Sequence, residues 1–417
     1  MDMNSLSVFV LILILARYLM VSRLEALNRR HAIAQAGAVP ERARSYVDED
    51  TYAKSIAYTL DKSRAKSFLT MVDTAVLACV LYSGVLPWFY RGLELELGRG
   101  VAAQALILLF FSYVMDLLDW PGDCWVTFKV EAKHGFNKSG FGLWIADKLK
   151  GMAVSSVIMY PVFCVLLWLV SVPLWWIWAF AFLFVFQLLM MVLYPMFIMP
   201  LFNKFTPLEE GELKERLMSL AQRTGFHAKT ILVMDGSRRS GHSNAFFTGI
   251  GKSRRVVLFD TLVEQLEPEE LEAVLAHEIG HYKMGHIPRG LALSGVLSFA
   301  ALALIGWLAS SPWFVASFGF SFDPQRLAPV LMLFSLMAGL GTFWFTPFMA
   351  MISRRHEYQA DAFARKAMQG DPKPLIGALR KLHTKNLGNL VPHPLYSAFY
   401  YSHPTLSERE EALEKGA

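Results

Sequence analysis

Residues 174–199 read LWWIWAFAFLFVFQLLMMVLYPMFIM and contain no charged side chain. A helix that crosses a bilayer needs about 20 mostly apolar residues, so this stretch is long enough to span a membrane. Over the whole 417-residue chain, 54 % of the residues are hydrophobic and 18 % are charged. Soluble domains carry about 25 % charged residues. The composition therefore indicates an integral membrane protein.

Six further stretches have the same character. The seven candidate spans cover residues 6–20, 68–90, 101–120, 152–172, 174–199, 291–310 and 328–349. We therefore expect a mainly α, multi-pass protein in a lipid bilayer. Its predicted parts are a membrane region with five helices (1–200), a segment between spans (201–287), spans six and seven (288–350) and a C-terminal segment (351–417).

The basic residues are distributed unevenly among the connections. The connections after the first and third spans are rich in Lys and Arg, and the other short connections are poor in them. Because basic loops stay in the cytoplasm, the N-terminus should face away from it, and residues 201–287 and the C-terminal segment should face it. The net charge of +5 fits these loops, so no nucleic-acid partner is expected. The three cysteines form no CxxC pair, which argues against a disulfide framework or a thiolate zinc site.

Several polar side chains lie in or at the ends of the spans. They are Asp73, Gln104, Asp116, Asp119 and Gln187. Two interpretations stay open, namely satisfied polar contacts inside a helix bundle and a water-filled cavity between the helices.

Residues 201–287 interrupt the membrane pattern with a small α+β segment. An amphipathic helix is predicted over 209–223, a strand over 229–234, and a hairpin of strands 244–248 and 254–260 around the Gly-containing loop 249–253. A last helix should start at Pro268, a residue well suited to a first turn.

This last helix contains His277-Glu278-Ile279-Gly280-His281. Histidines four residues apart project from one helical face and can bind one zinc ion. Glu278 can reach water that the metal activates and accept its proton. Gly280 costs about 1 kcal/mol in a helix interior relative to Ala, which suggests close packing at this position. The alternative is a helix with surface histidines.

A catalytic zinc site needs a third protein ligand and an open fourth position. Glu357 and Asp361 also lie four residues apart, after the seventh span. Glu357 would complete a His, His, Glu set, and Asp361 would orient a ligand histidine. On spacing alone, a pair of solvated acids beside Arg354 and Arg355 is an equally good interpretation.

Many short motifs resemble the type I CAAX prenyl proteases, membrane zinc metallopeptidases that cut prenylated C-terminal motifs. The motifs are KHGFNK (133–138), LFNKF (201–205), DGS (235–237), HSNA (242–245), VLFDTL (257–262), the HExxH helix, residues 353–364 and SHP (402–404).

The resemblance implies seven transmembrane helices enclosing a large chamber, with a gluzincin-like domain and one zinc ion per chain at the cytoplasmic side. It implies that Glu357 is the third ligand and that Asp361 supports the site. A substrate strand would lie along the Asn244, Ala245 and Phe246 edge, with Asn244 binding its backbone. His403 would stabilise the oxyanion of the scissile carbonyl. The alternatives without a catalytic role are a turn residue for Asn244 and a surface histidine for His403.

The function expected is therefore zinc-dependent endopeptidase activity. The substrate would be a peptide or protein, either a prenylated CAAX-type C-terminus or a membrane or unfolded segment. The short connections suit a bacterial inner-membrane protein with its active site facing the cytoplasm. The alternative from another functional class is a membrane scaffold or transporter that retains a protease fold without its catalytic activity. The intact His277, Glu278 and His281 set argues against that alternative.

Overall fold

The structure, a computed structural model, describes residues 4–227, 229–248 and 255–416. Its first half is helical throughout. The helices are α1 (Ser5–Gln35), α2 (Glu49–Tyr82), α3 (Val85–Leu97), α4 (Val101–Trp125), α5 (Phe141–Leu169), α6 (Trp175–Leu193) and α7 (Met199–Phe202). One π-helical segment, Val126–Glu131, prolongs α4, and another, Tyr194–Ile198, joins α6 to α7.

The second half begins with a small sheet and returns to the membrane twice. Its elements are β1 (Phe205–Pro207), α8 (Glu212–Arg223), β2 (Thr230–Met234), β3 (Ala245–Thr248), β4 (Arg255–Phe259), α9 (Asp260–Gln265), α10 (Pro268–Lys283), α11 (His286–Ala309), α12 (Pro312–Ala316), α13 (Ala328–Thr342), α14 (Thr346–Ala367), α15 (Lys373–Lys385), α16 (Pro394–Tyr400) and α17 (Leu406–Lys415).

Seven helices among the described residues are long and apolar enough to cross a membrane. They are Ser5–Gln35, Glu49–Tyr82, Val101–Glu131, Phe141–Leu169, Trp175–Phe202, His286–Ala309 and Ala328–Ala367. The expected number of spans is confirmed, and most helices run well beyond the apolar stretch that revealed them.

The second span differs from its prediction over residues 68–90. Helix α2 ends at Tyr82, and α3 starts afresh at Val85. Gly84 between them has a φ of +81°, in the left-handed region that side-chain-bearing residues seldom adopt. The apolar run is therefore broken by a turn, which hydrophobicity alone does not reveal.

The membrane helices pack as a closed ring. Each contacts the next in the order α1, α2, α3, α4, α5, α6, α11 and α13, and α13 returns to α1. Helix α13 also packs against α4. A cavity of about 700 Å3 opens beside α1 and α2. We call this space the chamber cavity; α1, α2, the residues around His242 and residues 386–401 line it.

Some of the polar residues in the spans form hydrogen bonds inside the helix bundle, and others line a cavity. Gln104 accepts a hydrogen bond from the Tyr90 hydroxyl at 2.8 Å, and Gln187 donates one to Ser294 at 3.2 Å. Asp73 lines the chamber cavity instead, and Asp116 lines a second cavity of about 580 Å3 between α4 and α5. The enclosed chamber that the resemblance implied is thus present.

The sheet between the fifth and sixth spans has the strand order β1-β2-β4-β3. Strand β4 pairs with β2 in parallel and with β3 in antiparallel fashion. The predicted pairing of β3 with β4 is confirmed, and its predicted loop, residues 249–253, lies outside the described residues. Strand β3 is therefore at one edge of the sheet.

Helix α10 starts where the sequence predicted. Pro268 occupies the first turn, and Glu267 and Glu270 form a reciprocal capping box around the free N–H groups of that turn. The buried face of α10 then packs Leu271, Leu275 and Ile279 into the core that α10 shares with the sheet and α8. These contacts fix the rotation of the helix and leave His277 and His281 facing α14.

Candidate metal centre

The close approach of α10 and α14 creates the site. A Cβ atom added to Gly280 would lie 3.0 Å from the Ala360 Cα atom and 3.1 Å from its carbonyl oxygen. Real Cβ atoms hardly ever come so near to another backbone, so only glycine lets the two helices approach to this distance. The close packing that the glycine suggested is confirmed.

His277, His281 and Glu357 converge at this contact. The two Nε2 atoms are 3.2 Å apart, His277 Nε2 lies 3.4 Å from Glu357 Oε2, and His281 Nε2 lies 3.3 Å from Glu357 Oε1. Tetrahedral zinc with bonds of about 2.0–2.1 Å holds its ligand atoms about 3.3 Å apart. The three donors therefore fit a zinc ion without rearrangement.

The alternative of solvated acids on α14 is wrong. Glu357 is 3 % exposed and Asp361 is 2 % exposed. A buried carboxylate needs partners for its charge. Both find them on α10 and on the C-terminal segment rather than in water.

Asp361 lies behind His277, on the side of the imidazole opposite Glu357. Its Oδ1 atom is 2.8 Å from His277 Nδ1, so Nε2 is left to face the metal position. Arg409 in α17 binds the same carboxylate in bidentate fashion, at 2.6 and 2.8 Å. Arg409 could not be predicted from the sequence, because no local spacing relates it to the motif, 132 residues away along the chain.

A second layer of side chains, also missed and buried only at His286, supports His281. Its Nδ1 atom lies 3.0 Å from His286 Nδ1, and His286 Nε2 lies 2.8 Å from Gln359 Oε1. His356 stacks on His286 with ring centres 4.0 Å apart. These contacts fix the ring orientation of His281, much as Asp361 fixes that of His277. In the sequence, the sign of this second layer was Gln359, because it lies between Glu357 and Asp361 on α14.

Glu278 sits beside the first ligand in a largely dehydrated position. Burial raises the pKa of its carboxyl above the ordinary value, although His277 and His281 act in the opposite direction. For His277, burial opposes the charged form, but hydrogen bonds to Asp361 and Glu357 raise its pKa to about 9. A metal ion has to displace a proton from such an imidazole, so metal affinity falls as the pH is lowered.

His403 also reaches the site, from the segment between α16 and α17. Its Nδ1 atom lies 2.7 Å from Glu357 Oε2, and its side chain is 61 % exposed. His403 is thus a surface histidine, as the alternative held, and it also contacts the buried carboxylate of Glu357. Its imidazole lies at the open side of the metal position.

The strand predicted to bind substrate is the edge strand β3. The Asn244 carbonyl accepts from the Phe259 N–H at 3.0 Å, and its side chain accepts from the Ala245 N–H at 2.8 Å. Among the described residues, Ala245 and Phe246 pair with a strand on one side, with Leu258 and Val257 of β4, and with none on the other. Their other edge is available to an incoming strand.

Two protein families match the chain in succession. The CAAX prenyl protease N-terminal family, with five membrane helices, matches residues 28–204, and peptidase family M48 matches residues 207–417. The division falls at the end of the fifth membrane helix.

Individual relatives match over nearly the whole length. CAAX prenyl protease 1 of Saccharomyces cerevisiae is 38 % identical, covering 88 % of this chain and 86 % of that protein. CAAX prenyl protease 1 homologues from Arabidopsis thaliana and Homo sapiens are 35 % and 33 % identical and cover 90 % of this chain, and this chain covers 90 % and 88 % of them.

A solved structure shares the whole architecture. The crystal structure of S. mikatae Ste24p superimposes with a TM-score of 0.89 at 34 % sequence identity. The match covers 97 % of this chain and 98 % of that one. With the chamber and the His, His, Glu site, these matches show that the chain belongs to the CAAX prenyl proteases of peptidase family M48, which are integral-membrane zinc metalloproteases.

Proposed function

We propose that this protein hydrolyses a peptide bond near prenylated CAAX-type C-termini, with His277, His281 and Glu357 as its zinc ligands. The observation that carries the assignment is the spacing of the three donor atoms, 3.2–3.4 Å, at the contact between α10 and α14. Bound zinc supplies Lewis-acid activation of water and of the scissile carbonyl.

Glu278 acts as the general base. Its carboxylate takes a proton from the attacking water, the water oxygen bonds to the carbonyl carbon, and the C–N bond breaks as Glu278 passes the proton to the leaving amine. The pKa of this half-buried carboxyl is raised towards neutral pH. A pKa closer to the working pH favours accepting and releasing a proton in the same cycle.

Strand β3 aligns the substrate. An extended peptide added to the free edge would exchange backbone hydrogen bonds with Ala245, because Asn244 and Phe246 direct their backbone groups towards β4. The side chain of Phe246 would lie beside the peptide, and the Asn244 amide would hold the peptide near the scissile bond. Recognition through the backbone tolerates varied side chains. The same mode would admit membrane or unfolded protein segments, which are the second class of substrate.

His403 stabilises the negative charge that develops on the carbonyl oxygen. Its position at the open side of the site supports this role, and its contact with Glu357 orients the ring. A donor aimed at a developing oxyanion contributes about 10²–10³ in rate.

The site faces the cytoplasm, and the protein resides in a bacterial inner membrane. The basic connections after the first and third spans support this orientation. The membrane assignment is supported by short connections such as the five residues between α5 and α6. A reporter fused after α17 that is active only in the cytoplasm tests the orientation, and a silent cytoplasmic reporter would overturn it.

The test of function uses the purified protein in detergent with a farnesylated CAAX peptide and its unprenylated twin. We expect about one zinc per chain, cleavage by the wild type, and preference for the farnesylated peptide. Glu278→Gln should keep its zinc and lose 10²–10⁴ in rate, because it loses only the base.

Glu269→Gln, on the same helix but 64 % exposed and outside the site, is the matched control and should cleave normally. A wild type that binds no zinc, or a Glu278→Gln variant that cleaves as fast as the wild type, would contradict the assignment. In that case the non-catalytic scaffold becomes the better interpretation.

A further inference from the structure

One cation of the chamber cavity forms no close ion pair among the described residues. Lys62 in α2 lines the cavity with its ammonium group 4.8 Å from the centre of the Tyr58 ring, and within the described ranges it forms no ion pair. The neighbouring cation is different. Lys66, one turn further along, lies 2.7 Å from the buried carboxylate of Glu25.

The carboxylate within electrostatic range of Lys62, that of Glu131, already has other partners. Glu131 accepts a hydrogen bond from the Tyr58 hydroxyl at 2.8 Å and lies 3.5 Å from His242 Nε2. The other ring nitrogen of His242 lies 3.0 Å from Asn386 Oδ1. The side-chain oxygen of Asn386 is thus occupied. Within the described residues its two amide N–H donors have no hydrogen-bond partner, and Asn386 also lines the cavity.

This part of the cavity adjoins the start of the edge strand. His242 precedes Asn244 by two residues, and a strand added antiparallel to β3 runs in the opposite direction. The C-terminal end of such a substrate would therefore lie beside the start of β3, towards His242 and the cavity.

The lengths also agree. A CAAX motif has three residues after its cysteine. These three residues span roughly 10 Å when extended. From Ala245 back to His242 is three residues of chain, which covers a similar distance. A peptide cut beside Ala245 would end close to Lys62 and Asn386.

Resting on the proposed function, we infer that Lys62 and Asn386 bind the free α-carboxylate of the substrate. The ammonium group supplies the charge, and the amide N–H groups supply directional hydrogen bonds. The site would then measure the distance from the scissile bond to the chain end. It would favour a C-terminal motif over the same sequence inside a longer chain.

The test compares two farnesylated CAAX peptides that differ only in their last group, a carboxylate or a carboxamide. Binding of fluorescent versions is measured in the inactive Glu278→Gln background, and kcat and KM are measured in the active protein. We expect the carboxylate to bind about tenfold tighter, as one charge-assisted contact warrants. Lys62→Met should remove this preference by weakening only the carboxylate peptide, and Lys62→Arg should retain it.

Lys54→Met is the matched control, since Lys54 lies on the same helix, pairs with Asp50 at 2.6 Å and does not line the cavity. Equal binding of the two peptides, or a Lys62→Met variant that weakens both alike, would overturn the inference. If the wild type cleaves no CAAX peptide, the proposed function fails instead. The ratio of the affinities for the carboxylate and carboxamide peptides, measured in the inactive background, then still shows whether the carboxylate site exists.

Discussion

His277 is held between two carboxylates that act on its two nitrogen atoms. Glu357 faces Nε2 and Asp361 faces Nδ1. The first contact belongs to the metal side, and the second fixes the tautomer and the angle of the ring. The acids on α14 are alike in charge and burial, yet they differ in function because they lie on opposite sides of one imidazole.

Replacing Asp361 by Asn should therefore weaken zinc binding without removing a ligand. The amide carries less negative charge and cannot accept bidentate hydrogen bonds from Arg409. We expect the dissociation constant for zinc to rise about 10–100-fold, measured by competition with a chelator. Asp371→Asn, at the exposed start of α15, should leave it unchanged. Equal zinc affinity in wild type and Asp361→Asn would remove Asp361 from the site.

Local spacing decided which residues could be predicted. His277, Glu278 and His281 share one helical turn, so their common direction follows from helix geometry. Glu357 had no such relation to them, and spacing alone left it evenly balanced with a solvated acid. Arg409 was missed altogether, because only tertiary packing brings α17 behind the motif.

At the scale of elements, the distance between α10 and α14 depends on Gly280. Gly280→Ala would place a methyl group 3.0 Å from the backbone of Ala360, and backbone cannot move aside as a flexible side chain can. We expect a loss of about 1–3 kcal/mol in unfolding free energy and weaker zinc retention, followed by thermal unfolding and zinc analysis.

Gly290→Ala provides the control, because nothing lies within 4 Å of the added Cβ atom in α11. It should be neutral or stabilising, since alanine is the better helix former. A Gly280→Ala protein as stable and as zinc-loaded as wild type would show that the helices can separate without cost.

The elements themselves were largely predictable, and their ends were not. Apolar length gave seven spans, and the cap at Pro268 gave the start of α10. The turn at Gly84 and the continuation of the seventh span into α14 were not foreseen. The first depends on one backbone dihedral angle, and the second carries polar residues that become buried only against α10.

For the whole molecule, the zinc site joins parts that are distant in sequence. Two ligands precede the sixth span and the third follows the seventh, so the ion would tie both ends of this membrane hairpin together. Removing zinc with a chelator should lower the melting temperature, and added zinc should restore it. At free zinc 100 times the dissociation constant, the linkage amounts to about 2.7 kcal/mol.

His281→Ala should show no such zinc-dependent shift in melting temperature. A wild type that melts at the same temperature with and without zinc would mean that α10 and α14 are held together by packing alone.

The position of the ligands on either side of spans six and seven also sets the order of events during synthesis. When α10 leaves the ribosome, the histidines exist but the glutamate does not. Only after both spans have entered the bilayer and the chain has returned to the first side does α14 meet α10. On the proposed ligand set, a newly made chain therefore has no complete zinc site until both spans have entered the membrane.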